Sequence, residues 1–566
     1  MSDASSHFGA RGRDYARLMG APLPTWGDVT LLGAAAPVYV RASAHNDFRC
    51  DRYQWLKAHP NVTVARGERR RAGAPFILGE IKDMVESGLV LPGIEELHTR
   101  TAWIRTRARA LHERHRLYVI QAAEAVLDLF LDLAEQDGPL NYQGRHAEWT
   151  HPSGGTLYVW GMLFAGPGGL REIRRLRIGP AHNPDERDRL WDVQAAHVLA
   201  NLSWPSPCTR VVVREVGAGD GSSIVHLDLT PEEAAAAFEA ELRPALLSIT
   251  GSHDAQPGNS CVECTLVRQC DALIPANGAL AQTTHGPRRR SLSATDLARY
   301  DDCPAAWYYS RELNLPKSPE GSQALFRGSA VHQWLSAAHA RGVPCAVADL
   351  PADSGAQHWL SPEAYEAAYP HLVHHVPLCP LAVGPVTVVA SERTFHLFDP
   401  SSDVVVVIKP DMLLRRGRTL ILREVKSSES VPITATRSEI SSRFVQVHLG
   451  LAVIDALAAH HACDSGALEL ELLTPVGGQL WSWSSAHPME LGVARADIAR
   501  RVAAWQADDL WEPKPNPLCV TCEVREWCSE RDTFANNPRS GLPRSGPGPA
   551  LPGGTTDMSW HPGEPF

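Results

Sequence analysis

The sequence predicts an α/β protein of two tandem domains, each a small mixed sheet flanked by helices and stapled by a four-cysteine cluster. Three observations lead there. A cysteine pattern occurs twice: Cys261, Cys264 and Cys270 (CVECTLVRQC) follow Cys50 by roughly two hundred residues, and Cys519, Cys522 and Cys528 (CVTCEVREWC) follow Cys303 by a nearly equal interval. Each triplet reads C-x2-C-x5-C. Segments between the cysteines also recur in order: 43–56 resembles 293–309, 76–85 resembles 326–335, 156–179 resembles 403–428, and 191–202 resembles 443–457. Finally, 566 residues exceed what one core usually organises.

The chain divides by composition into a flexible N-terminus (1–29), a first domain (30–280), a linker (281–290), a second domain (291–535) and a disordered tail (536–566). Pro, Gly and Ser dominate the tail, which buries too little apolar surface to offset its ordering entropy. Apolar content of 44% with 21% charged residues describes a soluble globular protein. The first twenty residues lack an apolar stretch, so they are not read as a signal peptide. No run approaches the roughly twenty apolar residues of a membrane span. The expected setting is cytoplasmic and reducing, where twelve cysteines serve as ligands or buried thiols rather than disulfides. A net charge of −10 disfavours wholesale coating of nucleic acid, but local arginine runs at 69–71, 105–116, 171–177, 288–290 and 415–418 remain able to track phosphates.

Within the second block, Ser293 and Asp296 form a capping-box start for a helix ending near Cys303. Residues 330–340 suit a helix through His332. The β-branched run Val404–Ile408 reads as a strand, and 419–426 as another after the turn at 415–418. Residues 403–428 are expected to form a hairpin-like pair. Helix returns by Phe444 and carries Gln446; its counterpart in the first block carries Gln194.

The chemistry-bearing pattern is Pro410-Asp411 followed by Glu424-Val425-Lys426. Residues two apart on a strand share a face, so Glu424 and Lys426 project together. Asp411 leads the neighbouring strand. Two carboxylates meeting at one point suit a hard divalent cation such as Mg2+ or Mn2+. His332, in G-x-x-V-H one helix away, is placed to be a third ligand. Each piece alone is commonplace: a D…E-x-K string arises by chance, and a helical histidine is usually structural. Their joint order, bracketed by the cysteines, is what points to a site. Four thiolates fit zinc or an iron–sulfur cube, but C-x2-C-x5-C with a remote partner is not the spacing of a zinc ribbon.

Residues 291–530 resemble the RecB-type, iron–sulfur branch of the PD-(D/E)XK nuclease superfamily, which includes the AddB-type nuclease subunit and CRISPR-associated RecB-like exonucleases. The resemblance rests on SLSATDLARYDDCPAAWYY, GSAVH, PD, EVK, Gln446 and CVTCEVREWC. It implies two restriction-endonuclease-like folds, with His332, Asp411 and Glu424 as metal ligands, Lys426 as catalytic lysine and Gln446 as an orienting residue. It also implies a 4Fe–4S cluster on Cys303, Cys519, Cys522 and Cys528. The expected activity is metal-dependent hydrolysis of DNA phosphodiesters at single-stranded ends or flaps, in repair, recombination or defence against foreign DNA. No Walker A pattern is visible, so an unwinding motor would be a separate helicase or defence-system subunit.

The first block keeps the cysteines but not the acids. With Met162 laid on Met412, Gly161 replaces Asp411, Arg175 and Arg177 replace Glu424 and Lys426, and Asp83 replaces His332; a register slip would bring in Glu172. Arginines at such a pocket hold DNA backbone rather than Mg2+, which makes Arg171, Arg174, Arg175 and Arg177 candidate nucleic-acid contacts. This block then reads as an inactivated copy with a second cluster, iron–sulfur or zinc, on Cys50, Cys261, Cys264 and Cys270. Two other functions compete: a catalytically inactive iron–sulfur scaffold partnering a helicase, and a zinc-stabilised interaction protein. Asp411, Glu424 and Lys426 together favour the enzyme.

Overall fold

A computed structural model describes residues 39–46, 50–58, 76–93, 95–151, 155–203, 206–251, 254–281, 286–318, 323–350, 362–429 and 434–531. The terminal segments 1–29 and 536–566 lie outside them. Among the described residues the first half carries a 6-stranded sheet. Its order is β1 (Tyr39–Arg41), β3 (Thr156–Ala165), β4 (Leu170–Arg177), β5 (Arg210–Gly217), β6 (Ser223–Leu229), with β2 (Asn141–Thr150) paired to β3. The second half carries a 5-stranded sheet: β9 (Thr387–Ser391), β12 (Met412–Arg416), β13 (Thr419–Ser427), β14 (Ser465–Thr474) and β15 (Gly477–Ser484).

The two sheets repeat one topology. The runs β3–β4–β5–β6 and β12–β13–β14–β15 both pair antiparallel, parallel, antiparallel. Each parallel step needs a crossover, supplied by a helix: Glu186–Ala200 in the first half and Val445–His460 in the second. The central strand β13 is buried along most of its length because helices cover both faces, which is why it reads as a near-continuous apolar run from Leu420 to Leu422.

A smaller 4-stranded sheet draws on both halves, in the order β7 (Ile274–Pro275), β10 (Phe395–Asp399), β11 (Val404–Ile408), β8 (Arg290–Leu292). This corrects the hairpin expected over 403–428. The segment makes three strands: β11 joins the small sheet, and the hairpin is β12–β13, turned at Gly417 with φ 61. Pro410 explains the break, because a residue without an N–H cannot continue the ladder beyond Ile408.

Of the linker expected at 281–290, residues 281 and 286–290 are described, and Arg290 opens β8. Residues 282–285 lie outside the described set, but its flanks are anchored. The Gly278 and Leu280 N–H groups donate to the Asp399 carboxylate at 3.1 Å, and Arg289 pairs with Asp403 at 3.0 Å. One apolar core runs across the halves, from Ile77 and Tyr118 through Leu397 to Trp505 and Trp527. Tyr118 packs edge-on to Trp527 with ring centroids 4.9 Å apart, and the His115 ring meets the Tyr308 hydroxyl at 2.9 Å. The capping box predicted at Ser293 is present: its hydroxyl accepts the Asp296 N–H, and its own N–H donates to the Asp296 carboxylate. No single helix among the described residues is long and apolar enough to cross a membrane.

Candidate active site and cysteine clusters

Four segments converge on one group of charged side chains. The helix Gln323–Ala340, α1, supplies His332. Strand β9 ends at Ser391, and Glu392 turns the chain with φ 51, a left-handed conformation that costs a non-glycine residue about 1–3 kcal/mol. The Glu392 N–H and the Ser391 hydroxyl both donate to the Asp411 carbonyl, at 3.2 and 3.3 Å. That double clamp fixes Asp411 at the head of β12. Strand β13 then brings Glu424 and Lys426 on one face, while Val425 between them packs with Val331 and Leu335 of α1.

The distances define the cluster. His332 Nδ1 lies 2.9 Å from Asp411 Oδ1 and 3.7 Å from Glu392 Oε1; Lys409 Nζ is 3.4 Å from Glu392 Oε2. Asp411 Oδ2 accepts the Val425 N–H at 2.5 Å, and Lys426 Nζ is 3.3 Å from Glu424 Oε2. His332, Glu392 and Asp411 each offer a ligand atom within 4.8 Å of the others. Burial opposes charge on His332, but the Asp411 carboxylate overrides it and lifts the imidazole to about 10. Burial likewise pushes Asp411 up, and His332 with Lys426 more than reverse that. Glu424 goes the other way: burial raises it, Lys426 holds it back, the Asp411 charge adds, and it stands at about 7.

The site packs three carboxylates, Glu392, Asp411 and Glu424, against His332, Lys409 and Lys426. Its carboxylates draw a proton onto His332 where a divalent cation would serve as well. Carboxylate oxygens and one imidazole are hard donors that fit Mg2+ or Mn2+. His332, Asp411, Glu424 and Lys426 are therefore brought together as the sequence predicts. Glu392 is an addition. Its only sequence signal is an acid closing the strand-like run TVVAS ahead of Pro410-Asp411, which no motif singles out.

Gln446 is half-buried in the first turn of its helix and has no hydrogen bond to the cluster among the described residues. Its counterpart Gln194 is fully buried. It meets His45 Nε2 at 2.7 Å and donates to the carbonyls of Val40 and Tyr158, which is a structural role.

The thiols gather in two groups. Cys303 stands with Cys519, Cys522 and Cys528; burial first, and then the neighbouring sulfurs, push the Cys522 and Cys528 thiols up. Backbone N–H groups of Lys514 and Asn516 donate to the sulfurs of Cys303 and Cys519 at 3.4 Å. Cys50, Cys261, Cys264 and Cys270 line one cavity with Arg52 and Tyr53. Burial pushes the Cys261 and Cys264 thiols up to about 12 and about 11. These two therefore need a metal to become thiolates at neutral pH.

In the first half, β-pairing sets Met162 opposite Arg174, as Met412 stands opposite Arg423. Arg175 and Arg177 thus occupy the positions of Glu424 and Lys426. The slip that would bring in Glu172 is not made: Glu172 lies opposite Phe164 and accepts from Arg174 at 2.7 Å and Arg214 at 2.9 Å. The proposed DNA contacts at Arg171 and Arg174 are corrected by burial. Arg171 is 3% exposed and spent on the Leu199 and Ser206 carbonyls, and Arg174 is 4% exposed against Phe130 and Phe164. Arg175 pairs with Asp188 at 2.5 Å over the Trp191 ring, and Arg177 meets His182. Asp83, in the place of His332, pairs with Arg145 on the surface.

Residues 291–529 match the PD-(D/E)XK nuclease superfamily. No curated protein matches the sequence. Among solved structures, the chain is similar to SSO0001, with 15% identity and a TM-score of 0.23 over 43% of this chain and 86% of that one. It is also similar to a candidate exonuclease from Eubacterium rectale, with 14% identity and a TM-score of 0.28 over 41% of this chain and 86% of that one.

Proposed function

We propose, starting from the PD-(D/E)XK nuclease superfamily domain at residues 291–529, that this protein is a metal-dependent deoxyribonuclease. It hydrolyses phosphodiester bonds at single-stranded ends or flaps, in DNA repair and recombination or in defence against foreign DNA. The observation that carries this reading is the clamped cluster of His332, Glu392 and Asp411 beside Glu424 and Lys426. A scaffold that only bound DNA would have no use for three carboxylates packed together where a phosphate backbone would have to approach.

A bound Mg2+ or Mn2+ would polarise a phosphoryl oxygen and lower the pKa of its water. His332, Glu392 and Asp411 would hold that ion, with Glu424 beside them. The backbone clamp on the Asp411 carbonyl sets its carboxylate before substrate arrives, so no reorganisation is needed during reaction. Lys426 keeps its ammonium charge through Glu424 and Asp411 despite burial, and neutralises charge that develops on the phosphorane. The four cysteines at 303, 519, 522 and 528 would carry a 4Fe–4S cluster, and those at 50, 261, 264 and 270 a second one. A helicase would act as a separate subunit. The test is an anaerobic preparation assayed on linear and closed-circular DNA, single- and double-stranded, with and without Mn2+. Absence of metal-stimulated cleavage on all four substrates would overturn the proposal.

Two further outcomes follow from this site. Glu392→Gln is expected to raise the Mn2+ concentration for half-maximal cleavage about 10–100-fold, since it keeps the shape and removes an anionic ligand. A Mn2+ titration of the variant reads this directly, and an unchanged midpoint would remove Glu392 from the site. The second concerns pH. Glu424 stands at about 7, above the usual carboxylate range, so it is protonated below that pH and ionised above it. Only the ionised form attracts a cation, so apparent Mn2+ affinity should weaken as pH falls from 8 to 6, by up to about tenfold per unit. Glu424→Gln should make that dependence shallower below pH 7 in a metal-binding titration, leaving the slope due to His332, which must release its proton to ligate the ion.

A further inference from the structure

Beside the candidate active site, α1 and the helix Pro362–His375 enclose a second group of metal-type ligands that the nuclease chemistry does not use. His339, Cys345, His375 and Cys379 are 4%, 6%, 0% and 0% exposed. One ligand atom from each lies within 4.8 Å of all the others. His339 Nε2 and His375 Nε2 are 3.2 Å apart, and Cys379 Sγ is 3.8 Å from His339 Nε2. A tetrahedral ion with Zn–N of about 2.0–2.1 Å and Zn–S of about 2.3 Å has N···N edges of about 3.3 Å and N···S edges of about 3.6 Å. The two observed separations match two of the six edges of such a tetrahedron to about 0.2 Å.

The surroundings point the same way. The His375 Nδ1–H donates to Glu471 Oε1 at 2.7 Å, so its Nε2 lone pair faces inward. Glu471 is held in turn by Arg423 at 2.6 Å. A carboxylate that orients and enriches a histidine is the usual outer partner of a metal-bound imidazole. The Cys345 N–H donates to Cys379 Sγ at 3.4 Å, which favours a thiolate there. The ligands come in two close pairs, H-x5-C and H-x3-C, one at each helix end. A purely hydrogen-bonded core cluster is the competing account, but it does not require four soft and borderline donors to converge on one point.

We propose that His339, Cys345, His375 and Cys379 hold a structural Zn2+ ion. Four protein ligands leave no open position, so the ion is structural. Its effect reaches the neighbouring site through α1. His332 and His339 are seven residues apart on that helix, about 10 Å along its axis. An ion gripping His339 therefore fixes the height at which His332 meets Asp411. A cavity lined by Leu335, His339, His375, Glu392 and Asp411 borders both groups.

The proposal does not depend on the nuclease reading. The test uses the full chain, supplied with Zn2+, with zinc and iron measured by elemental analysis and the zinc shell by X-ray absorption. The expected result is one zinc per chain with two sulfur and two nitrogen neighbours. Cys345→Ser/Cys379→Ser should lose that zinc while iron content stays unchanged. No zinc uptake, an all-sulfur zinc shell, or full zinc retention in the double variant would overturn the assignment. If that variant does not fold, the absorption spectrum of the unaltered chain decides alone.

Discussion

Lys426→Ala should lower the rate of DNA cleavage by about 10²–10³-fold, with DNA binding nearly unchanged. The size follows from where the ammonium sits. It lies 3.3 Å from Glu424 in a half-buried setting, so its charge is only partly screened by water. Asp411→Ala should be at least as damaging. Asp411 is the hub of the cluster: it touches His332, accepts the Val425 N–H, and its carbonyl receives both the Glu392 and Ser391 donors. Removing its carboxylate also leaves His332 without the anion that lifts it to about 10. Single-turnover cleavage with saturating Mn2+ separates the two variants from simple loss of metal. If either cuts at the parental rate, the site is elsewhere.

Cys522→Ala should release iron and unfold the protein well beyond the neighbourhood of the cluster. Free energy of order 10 kcal/mol or more can reside in such a metal site, because ligands that are scattered in the unfolded chain are gathered only by folding. The four cysteines join residues 519–528 to the helix Ala294–Asp302. Without them that segment is held by contacts such as the hydrogen bond from Asn516 to the Asp302 carbonyl at 2.9 Å, the Arg299–Glu523 ion pair at 2.5 Å and the packing of Val524 and Trp527. Trp527 would go with them, and it packs against Tyr118 in the core common to both halves. Circular dichroism melts together with iron content check this. A variant without iron that melts at the parental temperature would refute a stapling role.

Much of this site is legible in the sequence because strands encode spacing simply. Glu424 and Lys426 share a face by parity alone, and the repeat of cysteines and segments foretells the repeat of sheet topology. Three features are not legible, each for a physical reason. Glu392 enters through a left-handed turn, and nothing in the residues 391–393 announces that conformation. The fate of residues 171–177 depends on burial: an arginine-rich strand looks like a phosphate-binding stripe until Glu172, Phe130 and the Leu199 carbonyl are found against it. The His339–Cys379 group is assembled from two short pairs separated by a helix, and only packing of α1 beside its neighbour brings them together.

The small sheet has a genetic consequence. Strand β7 comes from the first half, whereas its hydrogen-bonded neighbour β10, and β11 beyond that, come from the second. Deleting the first half would strip an edge from the second half's sheet and bare the ring of Trp527 to water, so neither half can be cut away without damage to the other.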